Sequence, residues 1–188
     1  MTQSLQSLNH QQLPVVRLRA LEPEDLDLLY AIENDRELWN IGNTNMPYSR
    51  FFLHEYIASV SGDIYTDKQL RLIINNVEGD VVGIVDLVNF NPQHNRAEVG
   101  IVIRRPYRYE GYGQAVLNQL IRYASDVLHI HQLYAIASVD NEACIRCFEE
   151  AGFEREAVLK DWLSDGDTYH DALLMNFFCK KVAKSFEE

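Results

Sequence analysis

The sequence predicts an α/β layered domain with a mixed sheet and flanking helices. Three observations carry that expectation. Apolar runs of strand length alternate with segments of helical period, in the order strand, two helices, three strands, helix, strand, helix, two strands. Two glycine-bearing polar turns, Asn76-Val77-Glu78-Gly79-Asp80 and Ser164-Asp165-Gly166-Asp167, each separate two apolar runs as a hairpin connection does. The segment Ile101 to Gln114 passes from an apolar strand through Pro106 and a turn bearing Gly111 and Gly113 into the helical pattern Ala115-Val116-Leu117-Asn118-Gln119-Leu120-Ile121.

Taken in order, Met1 to Gln12 are polar and are expected to be frayed, with no signal-peptide character. Val15-Val16-Arg17-Leu18-Arg19 alternates as a strand. A helix follows from Leu21-Glu22-Pro23-Glu24-Asp25, with acids in its first turn and apolar residues at Leu26, Leu29, Tyr30 and Ile32. Asn40 to Pro47 reads as a loop and Phe51 to Val60 as a second amphipathic helix. Leu70–Asn75 and Val81–Phe90 are antiparallel strands, and Asn91 to Asn95 is a turn into the strand Ala97–Arg104. The helix from Gly113 runs to about Leu128 and the strand Gln132–Val139 follows. A helix from Asn141 to Ala151 is closed by Gly152, whose freedom at positive φ suits a helix end. Val158–Leu163 and Ala172–Phe178 form the last hairpin.

The chain has 188 residues, enough for one domain with a sizeable core, and no repeat or linker divides it. A net charge of -11 argues against a nucleic-acid partner, which selects a basic face. Excess acid suits a cationic substrate and equally suits plain solubility. Three cysteines, Cys144, Cys147 and Cys179, make no disulfide framework, and no second pair of ligands gives Cys144 and Cys147 a zinc spacing. Their number fits a reducing cytoplasm. No apolar run is long enough to span a bilayer, so neither a membrane nor a metal is expected. His94, His129, His131 and His170 show no ligand spacing.

Two segments carry chemistry. In Arg108-Tyr109-Glu110-Gly111-Tyr112-Gly113-Gln114, glycines open the backbone where a helix begins, leaving N–H groups free at the positive end of its dipole. That is a seat for a phosphate, to which Arg108 would add charge-assisted bonds. The same residues suit a tight strand-to-helix turn with no ligand, and spacing alone does not separate the two. Neither the three-glycine dinucleotide spacing nor a Gly-Lys-Ser/Thr phosphate loop is present. In the second segment, Asn141 sits where a strand ends and a helix opens, and Gly152-Phe153 follows eleven residues on. By itself it reads as a short, well-capped helix.

Together the two segments resemble the GNAT superfamily of N-acetyltransferases. Arg108, Gly111 and Gly113 fill its phosphate motif, and Asn141, Gly152 and Phe153 fill its later motif. The resemblance runs from about Val15 to Phe178, is similar to the spermidine N-acetyltransferases at Ala97 to Ile103, Leu133-Tyr134 and Asp140-Asn141-Glu142, and is similar to the ribosomal-protein N-terminal acetyltransferases at Asn141 and Cys144. It implies a mixed, mostly antiparallel sheet. It also implies acetyl-CoA as cosubstrate, lying in a splay between the Ala97–Arg104 and Gln132–Val139 strands. Ile101, Val102 and Ile103 would hold the pantetheine arm, with backbone groups of Ile101 and Ile103 pairing with it. The amides of Arg108, Tyr109, Glu110, Gly111, Tyr112, Gly113 and Gln114 would hold the pyrophosphate, and Asn141, with Cys144 and Phe148 beyond it, would lie along the arm.

The implied reaction is attack of a primary amine on the thioester, the amine being a protein N-terminus, a polyamine or another small amine. Glu98 is the base the resemblance supplies; partial burial would suit a carboxylate to that role, and an ion pair with Arg96 or Arg104 is its structural alternative. Many members place a Tyr seven residues after the Asn as the acid that protonates the thiolate. This chain has Phe148, which cannot donate. The spermidine enzymes tend to carry an acid where this chain has Asn89. Glu33, Asp35, Glu37, Trp39, Tyr48 and Trp162 are candidates to line the acceptor side. A homo-oligomer is expected through a sheet edge or the last hairpin. The competing class is a non-catalytic protein on the same fold, a sensor that keeps CoA as a ligand without turnover or an interaction domain.

Overall fold

The structure is a computed structural model that describes residues 12–39 and 46–179. In chain order its elements are β1 (Arg17–Ala20), a 3-10 turn (Pro23–Asp25), α1 (Leu26–Glu33), α2 (Arg36–Trp39), α3 (Arg50–Ser59), α4 (Ile64–Asp67), β2 (Leu70–Asn75), β3 (Val81–Asn91) and β4 (Arg96–Ile103). A second 3-10 turn (Arg105–Tyr107) leads to α5 (Tyr112–Asp126), β5 (Gln132–Ser138), α6 (Glu142–Glu150), β6 (Glu154–Ser164) and β7 (Tyr169–Phe178). The strands form one sheet in the order β1-β2-β3-β4-β5-β7-β6. Every neighbouring pair is antiparallel except β4 and β5. A parallel pair needs a crossover, and α5 supplies it.

The strands and long helices stand where hydrophobic period places them, with three differences. The segment from Leu21 opens as a 3-10 turn before α1, because the nearly buried Asp25 carboxylate accepts from Arg19 at 2.6 and 2.7 Å and from the Glu22 amide at 2.9 Å. Two one-turn helices were not foreseen, since a single turn carries no period. α2 lies in the stretch before the expected Asn40–Pro47 loop, whose residues 40–45 fall outside the described residues. α4 is started by Asp63, which accepts from the Tyr65 and Thr66 amides, and is ended by Lys68 at φ 57°. The last hairpin is longer than expected, β6 beginning at Glu154 rather than Val158 and β7 at Tyr169 rather than Ala172, because the two strands provide each other pairing that side-chain alternation does not reveal. The expected frayed terminus lies almost wholly outside the described residues.

β3 and β4 are covered on both faces. Val85, Leu87, Ala97, Val99, Leu133, Ala135 and Met175 pack under Val116, Leu117, Leu120, Ile145 and Phe148 of α5 and α6. On the opposite face Ile73 and Ile84 pack with Ile32 of α1. Alternation therefore assigns Glu98, Gly100, Val102, Tyr134 and Ile136 to the α1 side, the face where the cleft lies. No described helix is long and apolar enough to cross a membrane.

Candidate active site

β4 and β5 hydrogen-bond over only three residue pairs, Arg96–Gln132, Ala97–Leu133 and Glu98–Tyr134. Beyond Glu98 the strands part, and the β5-facing edge of β4 from Val99 to Ile103 has no strand partner among the described residues. A cleft of about 460 Å³ opens on the α1 face of this splay. Its walls include Glu98, Gly100, Ile101 and Val102 of β4, Ile136 of β5, Asp86, Val88 and Asn89 of β3, Arg71 of β2, Glu33 of α1 and Trp162 of β6. A thin acyl-bearing arm fits such a gap, because an unpaired strand edge offers it backbone donors and acceptors.

At the far end of β4 the chain turns into α5. Tyr109 and Gly111 both hold left-handed backbone, at φ 65° and 81°. Left-handed residues in a turn let successive N–H groups converge on an anion. The first intrahelical bond of α5 runs from the Ala115 amide to the Gly111 carbonyl, so the Tyr112, Gly113 and Gln114 amides precede any intrahelical acceptor. This turn fits the diphosphate of acetyl-CoA: 15 residues of helix dipole point at it and no backbone carbonyl of its first turn competes. Arg108 Nε donates to the Ile103 carbonyl at 2.9 Å, tying the turn to the end of β4. Tyr109 and Glu110 are exposed, while Tyr107 and Tyr112 pack edge to face at 5.8 Å beside the core.

Gly113 is where α5 meets α6. A Cβ there would lie 2.9 Å from Cys147 Sγ. Gly113→Ala must therefore displace the Cys147 thiol or push the helices apart at the turn into α5. The expected result is acetyl-CoA binding weaker by about tenfold in calorimetry, near 1.4 kcal/mol, with Cys147→Ala in the same chain restoring most of it. Unchanged affinity in the single variant would show that the turn tolerates the displacement.

Asn141 caps α6, its Oδ1 accepting from the Cys144 amide at 3.1 Å; its Nδ2 has no partner among the described residues. Burial pushes the Cys144 and Cys147 thiols up to about 11, so both stay protonated at neutral pH. Phe148 is 3 % exposed and packs edge-on against Phe153 at 4.9 Å, deep in the α5–α6 side of the core.

Glu98 is the last residue of β4 to pair with β5. Its Oε2 accepts from Asn89 Nδ2 at 2.8 Å. Arg104, one of the ion-pair alternatives for Glu98, donates instead to the Val81 carbonyl at 2.6 Å. Deeper in the cleft Arg71 forms a fork with Asp86, both contacts at 2.8 Å, and reaches Glu33 at 2.5 Å. Burial alone would push the Arg71 guanidinium down, but the Asp86 and Glu33 charges outweigh it and leave Arg71 above its ordinary value. Three carboxylates thus share the described walls with one guanidinium. Of the expected acceptor-side residues, Glu33 and Trp162 line the cleft, and Asp35 and Tyr48 do not. The side chains of Glu37 and Trp39 lie outside the described residues.

Trp162 reaches the cleft through a bulge. β6 advances from Leu159 to Leu163 while β7 moves only from Ala172 to His170. Asp161 sits at φ 50°, its amide donating to Asp171 Oδ1 at 3.1 Å, while Lys160 Nζ meets Asp171 Oδ2 at 2.6 Å. Bulges re-aim side chains, and alternation along β6 did not disclose this one. Sequence reasoning also missed Arg71, Asp86 and Tyr134 as members of the site. Their alternation placed them on one face, but only the register brought them to Glu98.

A mixed sheet splayed at its single parallel pair, with a phosphate turn at one end and a carboxylate at the vertex, defines an acyltransferase that draws its acyl group from a CoA thioester. Residues 16–154 match the acetyltransferase (GNAT) domain, and the chain belongs to that family. It is an acetyl-CoA-dependent N-acetyltransferase. It is similar to the spermidine N(1)-acetyltransferase of Escherichia coli strain K12, 30% identical over 169 residues covering 87% of this chain and 86% of that one. It superposes on a crystal structure of spermidine N-acetyltransferase from Vibrio cholerae in complex with CoA and spermine, with TM-score 0.80 and 25% identity over 88% of this chain and 96% of that one. A dodecameric structure of the Vibrio cholerae enzyme gives TM-score 0.76 and 25% identity over 92% and 98%.

Proposed function

We propose that this enzyme acetylates a primary amine of a small polycationic acceptor of the polyamine class, with Glu98 taking the proton that the attacking amine gives up. The observation that carries the reading is the acid-walled cleft at the β4–β5 vertex, where Glu98, Asp86 and Glu33 outnumber Arg71 and Trp162 offers an aromatic face. Such a wall concentrates cations. The related enzymes named for spermidine point the same way.

In the reaction the amine nitrogen bonds to the thioester carbonyl carbon. The ammonium has by then given one proton to Glu98, directly or through a water; as the C–S bond breaks, CoA leaves as thiolate and the second nitrogen proton passes to solvent or to the thiolate. Thiolate is a good enough leaving group to depart without an acid from position 148. The turn at Arg108–Gln114 and the bare edge of β4 hold the cosubstrate so that its thioester lies beside Glu98. Asn141 Nδ2, left over from capping, adds a donor along the arm.

The test is release of free CoA across an amine panel: spermidine, spermine, putrescine, simple monoamines and a peptide with a free N-terminus. Polyamines should give the highest kcat/KM. Preference for the peptide would shift the acceptor to a protein N-terminus, and cofactor binding without turnover on any amine would favour the sensor reading. Trp162→Ala should raise KM for the preferred amine by about 3- to 30-fold with kcat within about twofold, the range expected for a cation–π contact. Unchanged KM would remove Trp162 from the acceptor site.

We further infer a homo-oligomer, which the dodecameric relative supports. Light scattering at micromolar concentration tests it. Cys144, Cys147 and Cys179 are all free thiols, consistent with work in the reducing cytoplasm.

A further inference from the structure

Among the three carboxylates in the described walls of the cleft, Glu98 alone is not bonded to Arg71. Asp86 of β3, Glu33 of α1 and Arg71 of β2 are tied to one another, and the β6 residues in the wall, Trp162 and Leu163, are uncharged. On its own strand Arg96 is the nearest cation, two residues back. Something else must fix the Glu98 side chain, which has enough free torsions to turn away from an incoming amine.

Two neighbours can do this, one from each flanking strand. On β3 the register shifts between Val88 and Asn91, and Asn89 inside that bulge adopts φ 52°. Left-handed backbone is costly for most residues but tolerated by Asn. Here it turns the Asn89 amide onto Glu98 Oε2 at 2.8 Å. On β5, Tyr134 is the direct register partner of Glu98 and occupies the same face. Its phenol stands beside the Glu98 carboxylate and feels its charge. Burial first, and then the adjacent Glu98 charge, hold this phenol above its ordinary value, so it remains a donor throughout the neutral range.

We propose that Asn89 and Tyr134 are positioning residues that clamp the Glu98 carboxylate from β3 and β5, at the point where the β4–β5 gap opens. The clamp gives the bulge at Asn89 a purpose, and an acid at that position, unable to donate, would not serve it. The proposal rests on Glu98 being the proton acceptor, and the experiment separates the two claims.

The variants are Asn89→Gly, Asn89→Asp, Tyr134→Phe, Glu98→Gln and the double Tyr134→Phe/Glu98→Gln. Glycine suits the positive φ, so Asn89→Gly removes the amide while keeping the bend, and Tyr134→Phe keeps the ring packing. The clamp predicts a kcat loss of roughly tenfold in Asn89→Gly and in Tyr134→Phe, with acetyl-CoA affinity unchanged. It predicts that the acid limb of the pH–rate profile moves to higher pH in both, because a carboxylate stripped of donors is protonated more readily. Asn89→Asp should move it furthest, by about one pH unit or more, since two carboxylates would then share one site. Tyr134→Phe should cost nothing further in the Glu98→Gln chain. If Glu98→Gln is slow while Asn89→Gly and Tyr134→Phe keep the wild-type rate and pH profile, the clamp is overturned and Glu98 stands. A Glu98→Gln enzyme at wild-type rate overturns both. A tenfold loss in Tyr134→Phe that persists undiminished in the Glu98→Gln chain, with no change in the acid limb, assigns Tyr134 a structural role and also overturns the clamp.

Discussion

Glu98→Gln should lower kcat for amine acetylation at neutral pH by about two to three orders of magnitude, the usual worth of a positioned general base. The acceptor amine is almost wholly protonated at pH 7, and a protonated nitrogen has no lone pair for the thioester. Gln is nearly isosteric and can still accept from Asn89, so the cleft keeps its shape and loses only its proton acceptor. Acetyl-CoA affinity should stay within about twofold, because the phosphate turn stands at the opposite end of β4. The residual rate should climb about tenfold per pH unit as solvent takes over deprotonation, continuing until the amine itself titrates. A variant that keeps the wild-type rate at pH 7 removes Glu98 from the chemistry.

Gly83→Ala should be the most damaging small substitution in the sheet. A Cβ at Gly83 would stand 2.1 Å from the Val102 carbonyl oxygen, a backbone atom that cannot swing aside. β3 and β4 would have to separate, and these strands carry the pairs Asp86–Gly100 and Val88–Glu98 that build the cleft. Overpacking against backbone in a buried strand costs about 3 kcal/mol or more. For a chain of this size that corresponds to a fall in Tm of about 6–12 °C, read by calorimetry. Gly100→Ala is the contrast. Its Cβ would meet only Asp86 Cβ at 3.7 Å, an ordinary contact, so its Tm should hold. Equal melting of the two variants would mean that the strands have more play than the close approach indicates.

The parts of the site legible in the sequence are those that local physics builds. Gly111 and Gly113 announce a turn because a residue without Cβ is favoured at the φ of 81° at the first and beside Cys147 at the second. Asn141 announces a helix start because its side chain can take an orphan amide, and it does so at Cys144. What was not legible depends on register. Tyr134 stands far along the chain from Glu98, and nothing within either strand says that they are opposite one another. The Arg71–Asp86–Glu33 network joins two strands and a helix, and Trp162 enters the cleft only through the Asp161 bulge. Nor does charge alone reveal that Arg108 Nε is spent on the Ile103 carbonyl.

Short-range rules thus determined the fold class, most of the strands and long helices, the glycine turn into α5 and the family, because periodicity, capping and glycine freedom act within a few residues of chain. The tertiary structure alone decided which carboxylates are neutralised, which one is left facing the β4–β5 gap and which side chains hold it there. Those outcomes follow from strand register and bulges, where a shift of one residue sends a side chain to the opposite face.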